Sequence, residues 1–224
     1  MIKVDGTTYV VQKEIVDGLQ ELAGVSFAEI ERSMAKVQNC PGSDPPLMYV
    51  ISKLVKDDKV RAILEFGSGG TTSLFSHLAD KYGLEYVSLE NQLKWKLNTQ
   101  EAARISGTDS IGLFYREEFF DTDVGFGAET NSALDTFSQP VDLVFIDSVP
   151  GQTRQDALKT VLRMQKKNEL FHRDTIIMVD DCQESQAEKE VRDIAHVGEV
   201  FMSHTRGIYT IDPGNKIDFV IYIK

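Results

Sequence analysis

Ile63-Leu64-Glu65-Phe66-Gly67-Ser68-Gly69-Gly70-Thr71-Thr72 is the stretch that decides how this chain folds. Its first half is a short apolar run closing on an acid. Its second half is a glycine turn followed by two threonines. Gly67 and Gly69 let the backbone bend sharply and approach a ligand with no Cβ in the way. Thr71 or Thr72 is expected to cap the helix that follows, whose first N–H groups then face the ligand. A predicted strand, a glycine turn and a predicted helix in that order open an α/β unit.

The same alternation continues outward from this stretch. Further short apolar runs are Tyr86-Val87-Ser88-Leu89, Ile111-Gly112-Leu113-Phe114, Val141 to Ile146, and Ile176-Ile177-Met178-Val179. Several are apolar at every position, as strands covered on both faces of a parallel sheet are. Helices are expected at 72–82, 92–105, 152–168 and 185–196. Strands alternating with helices give a doubly wound, mostly parallel α/β sheet with right-handed crossovers. The ending departs from that rhythm. Residues 199–203, 207–211 and 217–223 read as strands with no helix between them, and Asp212-Pro213-Gly214-Asn215 reads as a turn. The last two strands are therefore expected to form an antiparallel hairpin at the sheet edge.

Upstream, the residues around Asp5-Gly6 carry a hairpin signal. Ile15, Leu19 and Leu22 share a helix face, and Ser26 with Glu29 has capping-box spacing ahead of Phe27, Ile30, Met34 and Val37. The loop from Asn39 to Pro46 separates this N-terminal hairpin and helical cap, residues 1–45, from a main domain at 46–224. Pro46 suits the first turn of the next helix, whose apolar face is read as Leu47, Val50, Ile51 and Leu54.

Composition narrows the partners. The chain has 224 residues with a formal net charge of −11, which argues against a phosphate backbone as ligand. Cys40 and Cys182 stand far apart, so neither a zinc site nor a disulfide scaffold is signalled. No apolar stretch has the length of a membrane span, and the first residues lack the apolar core of a signal peptide. A soluble, cytoplasmic protein that binds neither nucleic acid nor membrane is the expectation.

Each predicted strand ends on or beside an acid. These are Glu65, Glu90, Asp147, the pair Asp180 and Asp181, and Glu117 with Glu118. One such acid usually caps the next helix or faces solvent. Five sets gathered at one crevice repel one another unless a ligand or cation offsets the charge. Ligands of open α/β sheets bind at such strand ends. A P-loop needs a lysine in the turn, and none stands there. A dinucleotide fingerprint, G-x-G-x-x-G, needs a glycine at its sixth position, where this chain has Thr72, and Glu65 would face a pyrophosphate unfavourably. A ligand with an ammonium, a sulfonium and a ribose diol suits the crevice better. Glu90 follows Gly67 at about the spacing expected of an acid that binds ribose hydroxyls.

These motifs resemble those of class I S-adenosylmethionine-dependent methyltransferases over about residues 60–224. Residues 63–72 look like that family's first motif. Val87-Ser88-Leu89-Glu90-Asn91 resembles its second strand, and Val141 to Asp147 its fourth. The resemblance implies a Rossmann-like fold and a methyltransferase, with O-methylation of a small molecule or sugar as its reaction. It implies that Gly67, Ser68, Gly69, Thr71 and Thr72 pass the cofactor. Glu65 would lie under its ammonium or a bridging water, Glu90 with Asn91 would take the ribose, and Glu117 the adenine. Metal-dependent members resemble this chain further in Asp147, Asp180 and Asp181, which would hold Mg²⁺ or Mn²⁺. Asp147 and Asp181 would position the acceptor. Ser148-Val149-Pro150-Gly151 instead looks like a turn of other methyltransferase-like proteins, in which the aspartates act without metal. The cap would form a lid or a homodimer contact. A nicotinamide-dependent oxidoreductase and a non-catalytic cofactor-binding module are the rival readings. The histidines are scattered, and His204 is the candidate base among them.

Overall fold

The computed structural model describes residues 2–4, 7–9, 32, 45–108, 112–115, 120–121, 125–147, 152–167, 170–180, 207–211 and 219–223. Apart from residue 32, the expected helices within 15–37 lie outside these residues, as do the helix at 185–196, the strand at 199–203 and the turn at 212–215. So does nearly all of the expected cap.

Strand β1 (Ile2–Val4) pairs antiparallel with β2 (Thr7–Tyr9), Val4 standing opposite Thr7. Helix α1 (Pro45–Lys56) begins on its proline pair, where a missing N–H costs nothing. It buries Met48, Ile51, Leu54 and Val55. Ile51 and Leu54 match the expected face, while Met48 and Val55 extend it by the helical period. Strand β3 (Ala62–Phe66) is buried at every position. It leads through the glycine turn into α2 (Gly70–Tyr82), followed by β4 (Glu85–Glu90), α3 (Leu93–Ser106) and β5 (Leu113–Tyr115). A small hairpin, β6 (Phe120–Asp121) with β7 (Gly125–Phe126), and a short helix α4 (Ala128–Leu134) come next. Then follow β8 (Val141–Ile146), α5 (Gln152–Lys167), β9 (Phe171–Asp180), β10 (Gly207–Ile211) and β11 (Phe219–Ile223).

Seven of these strands form one sheet in the order β10-β11-β9-β8-β3-β4-β5. The pairs β3/β4, β4/β5, β3/β8 and β8/β9 are parallel. Strand β11 enters antiparallel beside β9, and β10 closes the edge antiparallel to β11. The doubly wound sheet and its antiparallel ending are thus as the sequence implies. The chain builds outward from β3 to β5, then returns to the other side of β3 with β8. Strand order reverses there, and the crevice of such a sheet opens at the carboxyl ends of the two strands flanking the reversal. Those ends are Gly67 and Asp147.

The core on this side of the sheet is aromatic. Phe75 of α2 meets Tyr86 of β4 edge-on at 5.5 Å and Phe145 of β8 at 5.7 Å between ring centroids. Both contacts span β3, so one ring locks α2 over the strand that carries the glycine turn. Asp142 pins the other end: its Oδ2 accepts the N–H groups of Arg61 at 2.7 Å and Ala62 at 3.0 Å. The start of β3 is thereby fixed to β8.

Candidate functional site

The glycine turn is built from backbone and hydroxyls. Gly67 has φ of 92°, a left-handed conformation that other residues enter only with strain. A Cβ on Gly69 would meet nothing within 4 Å, so the turn has open space on that side. Three consecutive N–H groups of the turn already have internal acceptors. Gly67 N–H donates to Leu89 O at 2.8 Å, Ser68 N–H to Glu90 Oε2 at 2.8 Å, and Gly69 N–H to Thr72 Oγ1 at 2.9 Å. A phosphate cradle needs such N–H groups free to face the anion. This turn has given them to the protein, and to a carboxylate in one case. That counts against a bound pyrophosphate.

Thr72 acts differently from the expected cap. Helix α2 has Gly69 as its N-cap, and neither threonine occupies that place. Thr72 is the third helical residue and reaches back to the N-cap N–H, which is one half of a capping box. Its own proton goes to Glu65.

Glu65 is wholly buried. Its Oε1 accepts Thr71 Oγ1–H at 2.6 Å, and its Oε2 accepts Thr72 Oγ1–H at 2.8 Å, Tyr86 O–H at 2.5 Å and Ser88 Oγ–H at 2.6 Å. Burial pushes the carboxyl up to about 7, against the lowering effect of those hydroxyls. The Tyr86 phenol is pushed well above its ordinary range by burial and by the adjacent carboxylate, so it stays a donor. Four hydroxyls thus surround the oxygens that were expected under a ligand's ammonium or its bridging water.

Glu90 is placed as expected, at the end of β4 and beside the turn. It is 2% exposed. Besides Ser68 N–H, its Oε2 accepts Ser68 Oγ–H at 2.8 Å, and its Oε1 accepts Gln92 N–H at 2.7 Å. Ser68 Oγ also lies 3.1 Å from Thr99 Oγ1. Each carboxylate oxygen offers about two lone-pair sites, so Oε1 retains capacity for another donor. Next to Glu90, the buried Asn91 Oδ1 has no hydrogen-bond partner among the described residues. Ser73 Oγ, fully buried on α2, is in the same position. Sequence reading passed over Ser73, because an unsatisfied hydroxyl appears only once the helix is packed. Such atoms are expensive unless a ligand or water meets them.

Asp147 follows β8 and is half-buried. Its N–H donates to Phe66 O at 2.8 Å, so it stands against the residue that opens the turn. The structure therefore brings Gly67, Ser68, Gly69, Ser73, Glu90, Asn91 and Asp147 to one end of β3, β4 and β8. Ile146 pairs with Val179, which sets Asp147 and Asp180 at corresponding ends of neighbouring strands. Asp181 and Glu117 lie outside the described residues. Among the described residues, no three His, Cys, Asp or Glu side chains gather as a metal site, and no helix is long and apolar enough to cross a membrane.

No family model matches this chain, and no curated protein does. Solved structures do. An O-methyltransferase from Bacillus cereus, in complex with S-adenosylhomocysteine, is 15% identical with a TM-score of 0.58, covering 94% of this chain and 97% of that one. The O-methyltransferase TomG from Streptomyces achromogenes, involved in tomaymycin synthesis and solved with S-adenosylmethionine, is 14% identical with a TM-score of 0.61, covering 94% and 95%. Sheet order, glycine turn and antiparallel ending together give this chain the Rossmann-like fold of the class I methyltransferases.

Proposed function

We propose that the chain is an S-adenosylmethionine-dependent methyltransferase acting on an oxygen of a small molecule or sugar. One observation carries this reading. The turn between β3 and α2 has spent its N–H groups on the protein and is flanked by the Glu90 carboxylate. Such a turn rejects a pyrophosphate and welcomes a phosphate-free, positively charged nucleoside. That choice also sets aside a nicotinamide dinucleotide.

S-adenosylmethionine supplies a methyl group on a positively charged sulfur. Glu90 is suited to orient the ribose through the remaining capacity of Oε1. Asn91 Oδ1 and Ser73 Oγ offer two further polar atoms in want of partners. Glycine at position 69 leaves room for close approach. Asp147, at the switch point, is suited to position the acceptor. Asp147, Asp180 and Asp181 would hold Mg²⁺ or Mn²⁺, whose contribution is to lower the pKa of the acceptor hydroxyl. All-oxygen donors at neighbouring strand ends support that ion. The net charge of −11 supports a small acceptor over nucleic acid, and the two separated cysteines support a reducing compartment, the cytoplasm.

The test is transfer of radiolabelled methyl from S-adenosylmethionine to a panel of hydroxylated aromatics and sugars, with Mg²⁺, Mn²⁺ or chelator. Label in at least one acceptor, lost in Asp147→Asn, is the expected result. Tight cofactor binding with no transfer in any arm would instead make the chain a non-catalytic binding module.

A further inference from the structure

The Glu65 cage performs a task that the cofactor reading leaves unexplained. Its four hydroxyl donors come from two elements. Thr71 and Thr72 belong to the first turn of α2, and Tyr86 and Ser88 belong to β4. Glu65 sits on β3 between them, in register with Ser88 on one side and Phe145 of β8 on the other. One carboxylate thus ties the helix start to two strands. The tie continues past Thr72. A hydroxyl that donates to Glu65 presents its lone pairs elsewhere, and Thr72 Oγ1 accepts the Gly69 N–H. While Glu65 is ionised, the direction of every bond in the chain from Glu65 through Thr72 to Gly69 is fixed by an acceptor at its root. Replace that acceptor by a donor, and Thr72 is free to turn away from Gly69.

We propose that Glu65 is the positioning residue of the glycine turn: acting through Thr72, it fixes the Gly69 N–H and the first turn of α2. Its effect on cofactor affinity rests on the methyltransferase reading; its effect on the turn does not. Among the described groups packed on Glu65, Tyr86 is the titratable one, and its raised pKa keeps it a donor. Thr71, Thr72 and Ser88 are neutral, and Phe145 is apolar.

Four proteins test this: wild type, Glu65→Gln, Thr72→Val and Thr72→Ser. The first readout is hydrogen exchange at the Gly69 amide by nuclear magnetic resonance, normalised to interior amides of α2. The second is affinity for S-adenosylhomocysteine by calorimetry. Thr72→Val is expected to speed Gly69 exchange and weaken the ligand by about tenfold each, the scale of one lost hydrogen bond. Thr72→Ser, which keeps the hydroxyl, is expected to stay within about threefold of wild type in both. Glu65→Gln is expected to follow Thr72→Val at Gly69. If Glu65→Gln does not fold, the two Thr72 variants decide alone. Unchanged normalised exchange in Thr72→Val overturns the proposal, as does equal ligand affinity in Thr72→Val and Thr72→Ser. Faster exchange in a protein whose wild type binds no S-adenosylhomocysteine sustains the positioning role and removes the cofactor reading instead.

Discussion

Replacing Glu65 by glutamine should remove a pH dependence from the stability of this protein. The carboxyl has an ordinary pKa of 4.5 and is pushed to about 7 in the folded chain, chiefly by burial. Between those values the folded protein holds a proton that the unfolded chain has released. Stability from this group is therefore fully present below pH 4.5 and is lost as pH rises through 7. The rise from 4.5 to about 7 corresponds to at most about 3–4 kcal/mol. Other groups titrate in the same window, so the useful quantity is the difference between wild type and Glu65→Gln. Urea unfolding at intervals from pH 4 to 8 measures it. Relative to the variant, wild type should lose up to about 3–4 kcal/mol across that range, with the change centred between 4.5 and 7. Parallel profiles would refute the reasoning, because they would mean that Glu65 titrates alike in both states.

Other outcomes are expected at separate points of the fold. Gly67→Ala should cost about 1–2 kcal/mol in denaturant unfolding, since φ of 92° strains any side chain. Asp142→Ala should cost about 1–3 kcal/mol by the same assay, because it strips the acceptor from two N–H groups at the start of β3. Phe75→Ala should cost about 3–5 kcal/mol in the thermal or urea midpoint, for it empties the space between Tyr86 and Phe145.

Much of this architecture can be read from local signals. Residues 63–72 announce a strand, a turn and a helix through composition alone, and Gly67 does adopt the conformation that favours glycine. The edge hairpin of β10 and β11 follows from two apolar runs with no helix between them. What stays hidden depends on neighbours distant in sequence. Glu65 reads only as an acid at a strand end, and its hydroxyl partners emerge once β4 is laid beside β3, which brings Tyr86 and Ser88 against it. Thr72 looks like a helix cap, yet Glu65 takes its proton and Gly69 becomes the cap. Ser73 carries no motif, and only packing reveals its orphaned hydroxyl. The two-residue strands β6 and β7 are too short to show any period. In α1 the expected Ile51 and Leu54 are buried, and Met48 and Val55 join them on packing.

The central claim is that this crevice receives a phosphate-free nucleoside held by Glu90. Calorimetric titration of wild type and Glu90→Ala with S-adenosylhomocysteine and with NAD tests it most directly. S-adenosylhomocysteine should bind wild type, NAD should not, and Glu90→Ala should weaken the nucleoside by at least about tenfold, the scale of one charge-assisted hydrogen bond. Tight binding of NAD, or equal affinity of wild type and Glu90→Ala for S-adenosylhomocysteine, would contradict the account.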